Sequence, residues 1–376
     1  MNEIQSELVA QVAKFCQKHI EPFCEEDDRE ERFRLEIYQG LGELGLTGIP
    51  IPEEFGGAGL GYQELTLVLH EIAKYSVAYA VTLSVSTMCQ GMILAFGTPT
   101  QKKDHLPALA SGKEIAAFGL TESSSGSDPS SLKTTAKLDD KNYLLNGNKL
   151  FISSAGIAKT YLVMARTGGS GSKGISSFII KDGTKGFSYG KKEKKMGWKS
   201  SPTRELVFQN CQVPQYHILG KPGEGLKIAL SALDRGRITI GSIANGLAER
   251  ALEEAIKYSL QREQFGKSIF DFQGLQFMLA EMAAEVETNK ILVESISKKY
   301  DRGDSISKLA AIAKLKATDG AMKVTTDAVQ VFGGAGYTSD YPVERYMRDA
   351  KVLQIVEGTN QIQKVVIGRI LKKEYS

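Results

Sequence analysis

Near the C-terminal end, Val356-Glu357-Gly358-Thr359-Asn360-Gln361 sets one carboxylate beside a glycine and polar side chains, between two apolar runs. A lone acid between apolar helices suits a general base, because burial raises a carboxylate's pKa towards the range where it takes a proton near neutral pH. Glu-Gly pairs also end helices, since glycine tolerates the left-handed position after the last turn, so Glu357 alone leaves both uses open. Upstream, Gly119-Leu120-Thr121-Glu122-Ser123-Ser124-Ser125-Gly126-Ser127-Asp128 leaves an alternating apolar run as a small, hydroxyl-rich turn. Its backbone N–H groups and Ser/Thr oxygens suit a flavin ring edge or a pyrophosphate; a ligand-free flexible loop is the other reading. Gln330-Val331-Phe332-Gly333-Gly334-Ala335-Gly336-Tyr337 carries glycines that let backbone approach a ligand closely. Asp340, Glu344-Arg345 and Arg348-Asp349 follow and can pair to lock that turn. In Arg262-Glu263-Gln264-Phe265-Gly266-Lys267 a guanidinium stands at the end of a long helical pattern, where it can meet a phosphate bidentately.

The elements that must position these groups fall into three zones. Residues 1–113 read as an α-helical domain: Val9, Val12, Ala13 and Phe15-Cys16 recur on one helix face, as do Leu65, Val68-Leu69, Ile72 and Ala73. The loop from Ile49 to Gly61 interrupts them with Pro and Gly, and lacks the strand-turn-helix order of a dinucleotide fingerprint. Residues 114–224 switch to period two: Ala116, Phe118 and Leu120, then Thr134, Ala136 and Leu138, then Tyr143 and Leu145. Asp139-Asp140 and Asn146-Gly147 read as hairpin turns in this small β domain. Residues 225–376 return to helix. Ile240, Ile243, Ala244, Leu247, Ala251, Leu252 and Ala255 form one stripe, and Leu275 to Val286 and Leu309 to Ala317 form others, as in a helical bundle. The fold class is therefore mostly α with an inserted β domain.

At 376 residues the chain is longer than one core usually serves. With 42% hydrophobic and 24% charged residues, the composition is that of a globular protein. The 47 basic and 44 acidic residues give a formal charge of +3, which offers no electrostatic reason for a nucleic-acid partner. Cys16, Cys24, Cys89 and Cys211 have no metal or disulfide spacing, and His19, His70, His105 and His217 make no local ligand pattern, so no metal site is expected. The run Lys191-Lys192-Glu193-Lys194-Lys195 reads as a solvated loop, or as a receiver of an anionic ligand. No apolar run is read as membrane-spanning and Met1-Asn2-Glu3-Ile4-Gln5 is not a leader, so a cytoplasmic location without membrane insertion is the expectation.

In this order, the Pro52 to Gly61 loop, Thr-Glu-…-Gly-Ser-Asp, Gln-x-x-Gly-Gly-x-Gly and Glu-Gly-Thr resemble the acyl-CoA dehydrogenase family of flavoproteins along the whole chain. The family's helical domain, β-barrel-like middle and C-terminal four-helix bundle match the three zones. The resemblance implies FAD as cofactor and Glu357 as the base that removes the α-proton of an acyl-CoA thioester, with β-hydride passing to flavin N5 to leave a trans-2-enoyl-CoA. The thioester carbonyl would be polarised by a ribityl hydroxyl and the Glu357 main-chain N–H. It also implies that Phe118, Leu120, Thr121 and Ser127 hold the isoalloxazine and pyrophosphate, Ser127 reaching CoA as well. Phe151 and Ile152 would back the ring, with Ser153 towards N5. Arg262, Gln264, Phe265, Phe272, Gln273, Gln330, Gly333 and Gly334 would bind the adenosine part across a dimer interface, completed by Thr359, Asn360 and Gln361. Asp234, Arg237 and Gly358 line up with contacts to CoA and its pantetheine arm.

Three departures matter. Phe151 and Ser153 stand where many members have tryptophan and threonine, and Val356 stands where tyrosine is common. Gly236 occupies the site from which some relatives take their base, leaving Glu357 without a competitor. The resemblance implies a short, straight acyl-CoA substrate, electron-transferring flavoprotein as acceptor, and a homotetramer built as a dimer of dimers. A small branched acyl group and an acyl-CoA oxidase are the alternatives. A DNA-alkylation-response flavoprotein shares the scaffold, but the near-neutral charge cannot supply its phosphate contacts.

Overall fold

Each periodicity zone takes the form its pattern dictates in the computed structural model, which describes residues 1–376. Six helices open the chain: α1 (Glu3–His19), α2 (Cys24–Arg29), α3 (Leu35–Glu43), α4 (Tyr62–Tyr75), α5 (Val77–Phe96) and α6 (Pro99–Ala110). The α1 start is a capping box: the Asn2 side chain accepts from Gln5 N–H, and the Gln5 side chain accepts from Asn2 N–H. Thr98 and Gln101 repeat the device at α6, with Pro99 in the first turn, where its missing N–H costs nothing. The α5 helix corrects one expectation. At 20 residues, with a mean hydropathy of 1.5, it is long and apolar enough to cross a membrane, yet 83% of its most apolar 18-residue window is buried inside the protein. It is apolar on all sides because neighbours surround it.

The middle zone forms β1 (Ala116–Gly119), β2 (Thr135–Asp139), β3 (Asn142–Ser153), β4 (Thr160–Arg166), β5 (Ile175–Lys181), β6 (Phe187–Lys192), β7 (Thr203–Pro214) and β8 (Ile218–Leu219). Their order is β6-β7-β3-β2-β4-β5-β8, with β1 parallel to β4. The β2–β3 hairpin turns after Asp139 as expected, and Asp140 takes φ +53°. Asn146-Gly147 is not a turn. The register against β7 shifts between Leu145 and Gly147 because β7 carries the bulge, Gln209-Asn210 opposite the single Asn146, and β3 runs on to Ser153. A Cβ at Gly147 would sit 2.7 Å from Thr134 Oγ1, which explains the choice of residue. The lysine run is also less solvated than expected: Lys192 ends β6, and its Nζ donates to the Glu31 carbonyl at 2.8 Å.

The last zone contains α7 (Gly225–Gln261), the short strands β9 (Glu263–Gln264) and β10 (Lys267–Ser268), α8 (Gln273–Asp301), α9 (Ser307–Phe332), α10 (Val343–Leu353) and α11 (Asn360–Glu374). The α7 stripe from Ile240 to Ala255 is buried as its spacing demands. This helix packs on α4 and α5 on one side and on α8 and α9 on the other. A single apolar cluster of 59 buried residues runs from Val12 through the sheet to Leu353, so the zones share a core.

Candidate active site

Glu357 lies in the short turn between α10 and α11. The turn is left-handed at two consecutive residues, Glu357 at φ +55° and Gly358 at φ +86°. Glycine accepts this freely, whereas a side-chain-bearing residue rarely does, and such residues gather at functional sites. Phe151 (φ +59°) and Phe265 (φ +54°), both expected at the cofactor, share the feature. The turn is held from two helices. Gln363 Nε2 donates to the carbonyls of Glu357 (3.1 Å) and Gly358 (2.7 Å), and Lys314 Nζ donates to Gly358 O (3.1 Å) and Asn360 Oδ1 (2.8 Å).

The turn delivers the Glu357 carboxyl to the face of α7 at Gly236. A Cβ built there would lie 2.6 Å from Glu357 Oε2, so only glycine leaves room for the carboxyl in this position. Oε2 is buried with no hydrogen-bond partner. Burial pushes the carboxyl up to about 7, against the opposing pull of Arg237 and Lys314. The Glu357 main-chain N–H donates to no carbonyl of the chain. A half-buried glutamate with one enclosed, partnerless oxygen, poised near neutrality beside a free N–H, can take a proton while the N–H steadies a developing oxyanion.

The structure joins the two segments expected around the flavin. Leu150 N–H donates to Thr121 O at 2.9 Å, which sets Leu120-Thr121 against the end of β3 that carries Phe151, Ile152 and Ser153. Phe151 is 63% exposed, a large aromatic face left bare, while Ile152 is buried and Ser153 half-buried. Phe118 pairs with Leu162 in the β1–β4 register and Ser127 is exposed at the turn. Beneath that turn is a residue pair absent from the sequence reading. Lys149, wholly buried in β3, donates to Leu120 O (3.2 Å) and Glu122 Oε1 (2.6 Å). Glu122 also accepts from the N–H groups of Lys133 (2.6 Å) and Thr134 (2.9 Å). Burial works to raise the Glu122 carboxyl, but Lys149 and these donors hold it below its usual range; burial lowers Lys149 to about 8. Lys149 shares its strand face with Tyr143 and Leu145, and a lysine at a core-facing period-two position is the signal that could have revealed it.

The adenosine set assembles elsewhere. Arg262 caps the far end of α7, and β9 and β10 form a hairpin whose tip, Phe265-Gly266, has two positive φ angles. Phe265 is 93% exposed, and its ring meets Phe272 edge-on at 6.0 Å, next to Gln273 at the start of α8. Tyr258 stacks on Phe332 at 4.0 Å, bringing Gln330, Gly333 and Gly334 to the same end of the bundle. At ~1.5 Å per residue, Arg262 is roughly 39 Å along the helix from Gly236 and Glu357. The base and the adenosine set therefore lie at opposite ends of this part of α7.

Two expected contacts are committed inside the protein. Asn360 is buried; its side chain accepts from Lys314 and donates to Thr318 (3.0 Å) and Asp319 (2.7 Å), so it braces the turn rather than facing a ligand. Arg237 is also buried. Its Nη1 donates to Asp234 Oδ1 at 2.5 Å, and the half-buried Asp234 also accepts from Ser307 through Oδ2 at 2.5 Å, so this pair lies behind Glu357. Thr359 accepts from Ile362 N–H as the cap of α11, and Gln361 is exposed beside it.

Family models for the acyl-CoA dehydrogenase N-terminal, middle and C-terminal domains match residues 2–113, 117–211 and 223–372. This chain belongs to the acyl-CoA dehydrogenase family. It is 45% identical over 380 residues to the short-chain-specific acyl-CoA dehydrogenase of Megasphaera elsdenii, covering 99% of this chain and 98% of that one. The solved butyryl-CoA dehydrogenase of the same organism matches with a TM-score of 0.97 at 44% identity, covering 99% of each chain. A chain of a structure described as an electron transferring flavoprotein of Acidaminococcus fermentans matches at 0.97 and 47% identity, covering 99% of this chain and 98% of that one.

Acyl-CoA dehydrogenases are FAD enzymes, and the residues of this chain fit that cofactor. Phe151 offers an uncovered aromatic wall, and Ser154 beside it has a buried hydroxyl with no partner. Gly126, Gly333 and Gly334 face open space, since a Cβ at any of them would meet nothing within 4 Å. Such bare backbone is what a pyrophosphate or adenosine requires for close approach.

Proposed function

We propose that this acyl-CoA dehydrogenase introduces a trans α,β double bond into a short, straight acyl-CoA thioester, with Glu357 as the base that removes the α-proton. The observation that carries the reading is the Glu357 carboxyl against Gly236, one oxygen enclosed and partnerless, raised to about 7. Ionised, it is steadied by Arg237 and Lys314; on accepting the proton it becomes the neutral form that burial favours. The free Glu357 N–H donates to the thioester oxygen, and this interaction strengthens as charge develops there. FAD, which Phe118 to Thr121, Ser127, Phe151 to Ser153 and Thr359 would hold, would supply the acceptor for the hydride, the proton and two electrons of the β C–H bond, as the α-proton goes to Glu357.

The separation between Glu357 and the Arg262 end supports a two-fold assembly in which Arg262, Phe265 and Gln330 to Gly334 serve the adenosine of a neighbouring subunit's FAD. A pair of such dimers is the proposed tetramer. The likeness to a chain of the Acidaminococcus fermentans structure supports an electron-transferring flavoprotein as the acceptor, and the likeness to the short-chain-specific and solved butyryl-CoA dehydrogenase of Megasphaera elsdenii supports the short chain. Purified enzyme given butyryl-, isobutyryl-, octanoyl- and palmitoyl-CoA with an artificial electron acceptor tests this. The highest kcat/KM is expected with butyryl-CoA, without dioxygen consumption. An optimum at octanoyl-CoA or longer, or turnover that requires dioxygen, contradicts it.

A further inference from the structure

We propose that Lys314 is a positioning residue for the base, fixing the left-handed Glu357–Gly358 turn and keeping a positive charge behind the carboxylate. The inference rests on the reading of Glu357 as the base. Lysine is almost never fully buried without a charged partner, yet Lys314 is wholly buried in α9. Its two acceptors, Gly358 O and Asn360 Oδ1, are uncharged oxygens, so hydrogen bonding satisfies the ammonium without cancelling its charge. Burial in that form works against folding, and a group retained at such a position acts on something nearby. Burial lowers the ammonium to about 7, the Glu357 and Asp319 carboxylates pull it back up, and Arg237 pushes it further down, so its charge near neutral pH depends on Glu357 being ionised. Asp319 Oδ1 is already taken by Asn360 and Gln354.

The surroundings of the carboxyl point to the same residue. Cys89 of α5, Gly236 and Arg237 of α7 and Lys314 of α9 face Glu357, and the turn itself is gripped by Gln363 of α11. Two of these carry positive charge. Arg237 shares its charge with Asp234, which leaves Lys314 as the cation with no carboxylate at hydrogen-bonding distance. Its bond to the Gly358 carbonyl holds the peptide that follows the base, an oxygen that also accepts from Gln363, which grips the Glu357 carbonyl as well. One side chain therefore sets both where the carboxylate lies and how readily it ionises.

The test is Lys314→Met in the FAD-loaded enzyme, read by kcat, KM, the pH profile of kcat/KM, FAD content and thermal unfolding. An opposite charge close to a carboxylate lowers its pKa by about 1–3 units, so its loss should move the acid limb up by roughly one unit. At pH 7, kcat should drop about 10- to 100-fold, in the range expected for a displaced or protonated base, with KM nearly unchanged. Lys314→Arg restores the charge and should return the limb to its wild-type position. Should Lys314→Met not fold, Lys314→Gln, which keeps a donor but no charge, should fold and show the same displaced limb. A limb unmoved by either neutral variant, or FAD-free protein from both, overturns the proposal and leaves Lys314 as a packing residue. Failure of the underlying reading looks different: a Glu357→Gln enzyme would then keep its rate.

Discussion

Replacing Gly236 with alanine separates the requirements of folding from those of catalysis. The added methyl would lie 2.6 Å from Glu357 Oε2 and 2.8 Å from its Cδ, where ordinary contact begins at 3.4 Å. The carboxylate must retreat by close to 1 Å, a misplacement that can cost on the order of 100-fold in rate. The protein itself loses little, because the crowded atoms are the far end of a flexible side chain. Alanine in a helix interior is favoured over glycine by about 1 kcal/mol, so stability should hold or rise. The expected result is a kcat with butyryl-CoA lower by roughly two orders of magnitude at unchanged FAD content, and an unfolding temperature no lower than wild type. The assay is steady-state dye reduction alongside thermal denaturation. A kcat within about threefold of wild type would refute the reasoning, since a tolerated displacement of this size means the working carboxylate is not against Gly236.

Three further outcomes follow from the same geometry. Because burial raises Glu357 to about 7 and the base must be ionised to act, kcat/KM should fall about tenfold per unit as pH drops below 7 and level off above it. A profile flat from pH 5 to 8 contradicts that assignment. Lys149→Met leaves Glu122 buried without its cation; breaking such a pair costs about 3–5 kcal/mol, so thermal unfolding should come earlier and FAD should be lost on gel filtration. Unaltered unfolding and a full flavin spectrum would show that the pair does not support the Leu120–Ser127 turn. Arg262→Ala should lower both FAD retention, read from flavin absorbance, and subunit association, read by sedimentation; loss of neither removes the proposed cross-subunit contact.

The residues whose meaning depends on neighbours in sequence were legible before the fold was known. The Ile240 to Ala255 stripe reports a buried helix face, Arg262 falls at a helix end because the apolar period stops there, and Asp139-Asp140 closes a hairpin. The Glu357 turn could be singled out, though not its surroundings. What stayed hidden depends on contacts between distant segments. Gly147 looks like a turn residue until β3 is seen to continue beside β7, and the long, all-round apolar α5 is recognised only once α4, α6 and α7 are packed about it. Asn360 reads as a ligand contact by its place in a motif, but Lys314, 46 positions upstream, claims its side chain. Lys149 and Lys314 both occupy core-facing positions of their elements, and a lysine breaking an apolar period was the available sign.

Proton removal by Glu357 is tested most directly with Glu357→Gln, which keeps the size of the side chain and takes away its basicity. The variant should bind FAD and a CoA ester like the wild type, while kcat falls by at least about 100-fold at every pH, as for loss of a general base. Turnover above a few per cent of wild type with any acyl-CoA in the panel would mean that another group takes the α-proton.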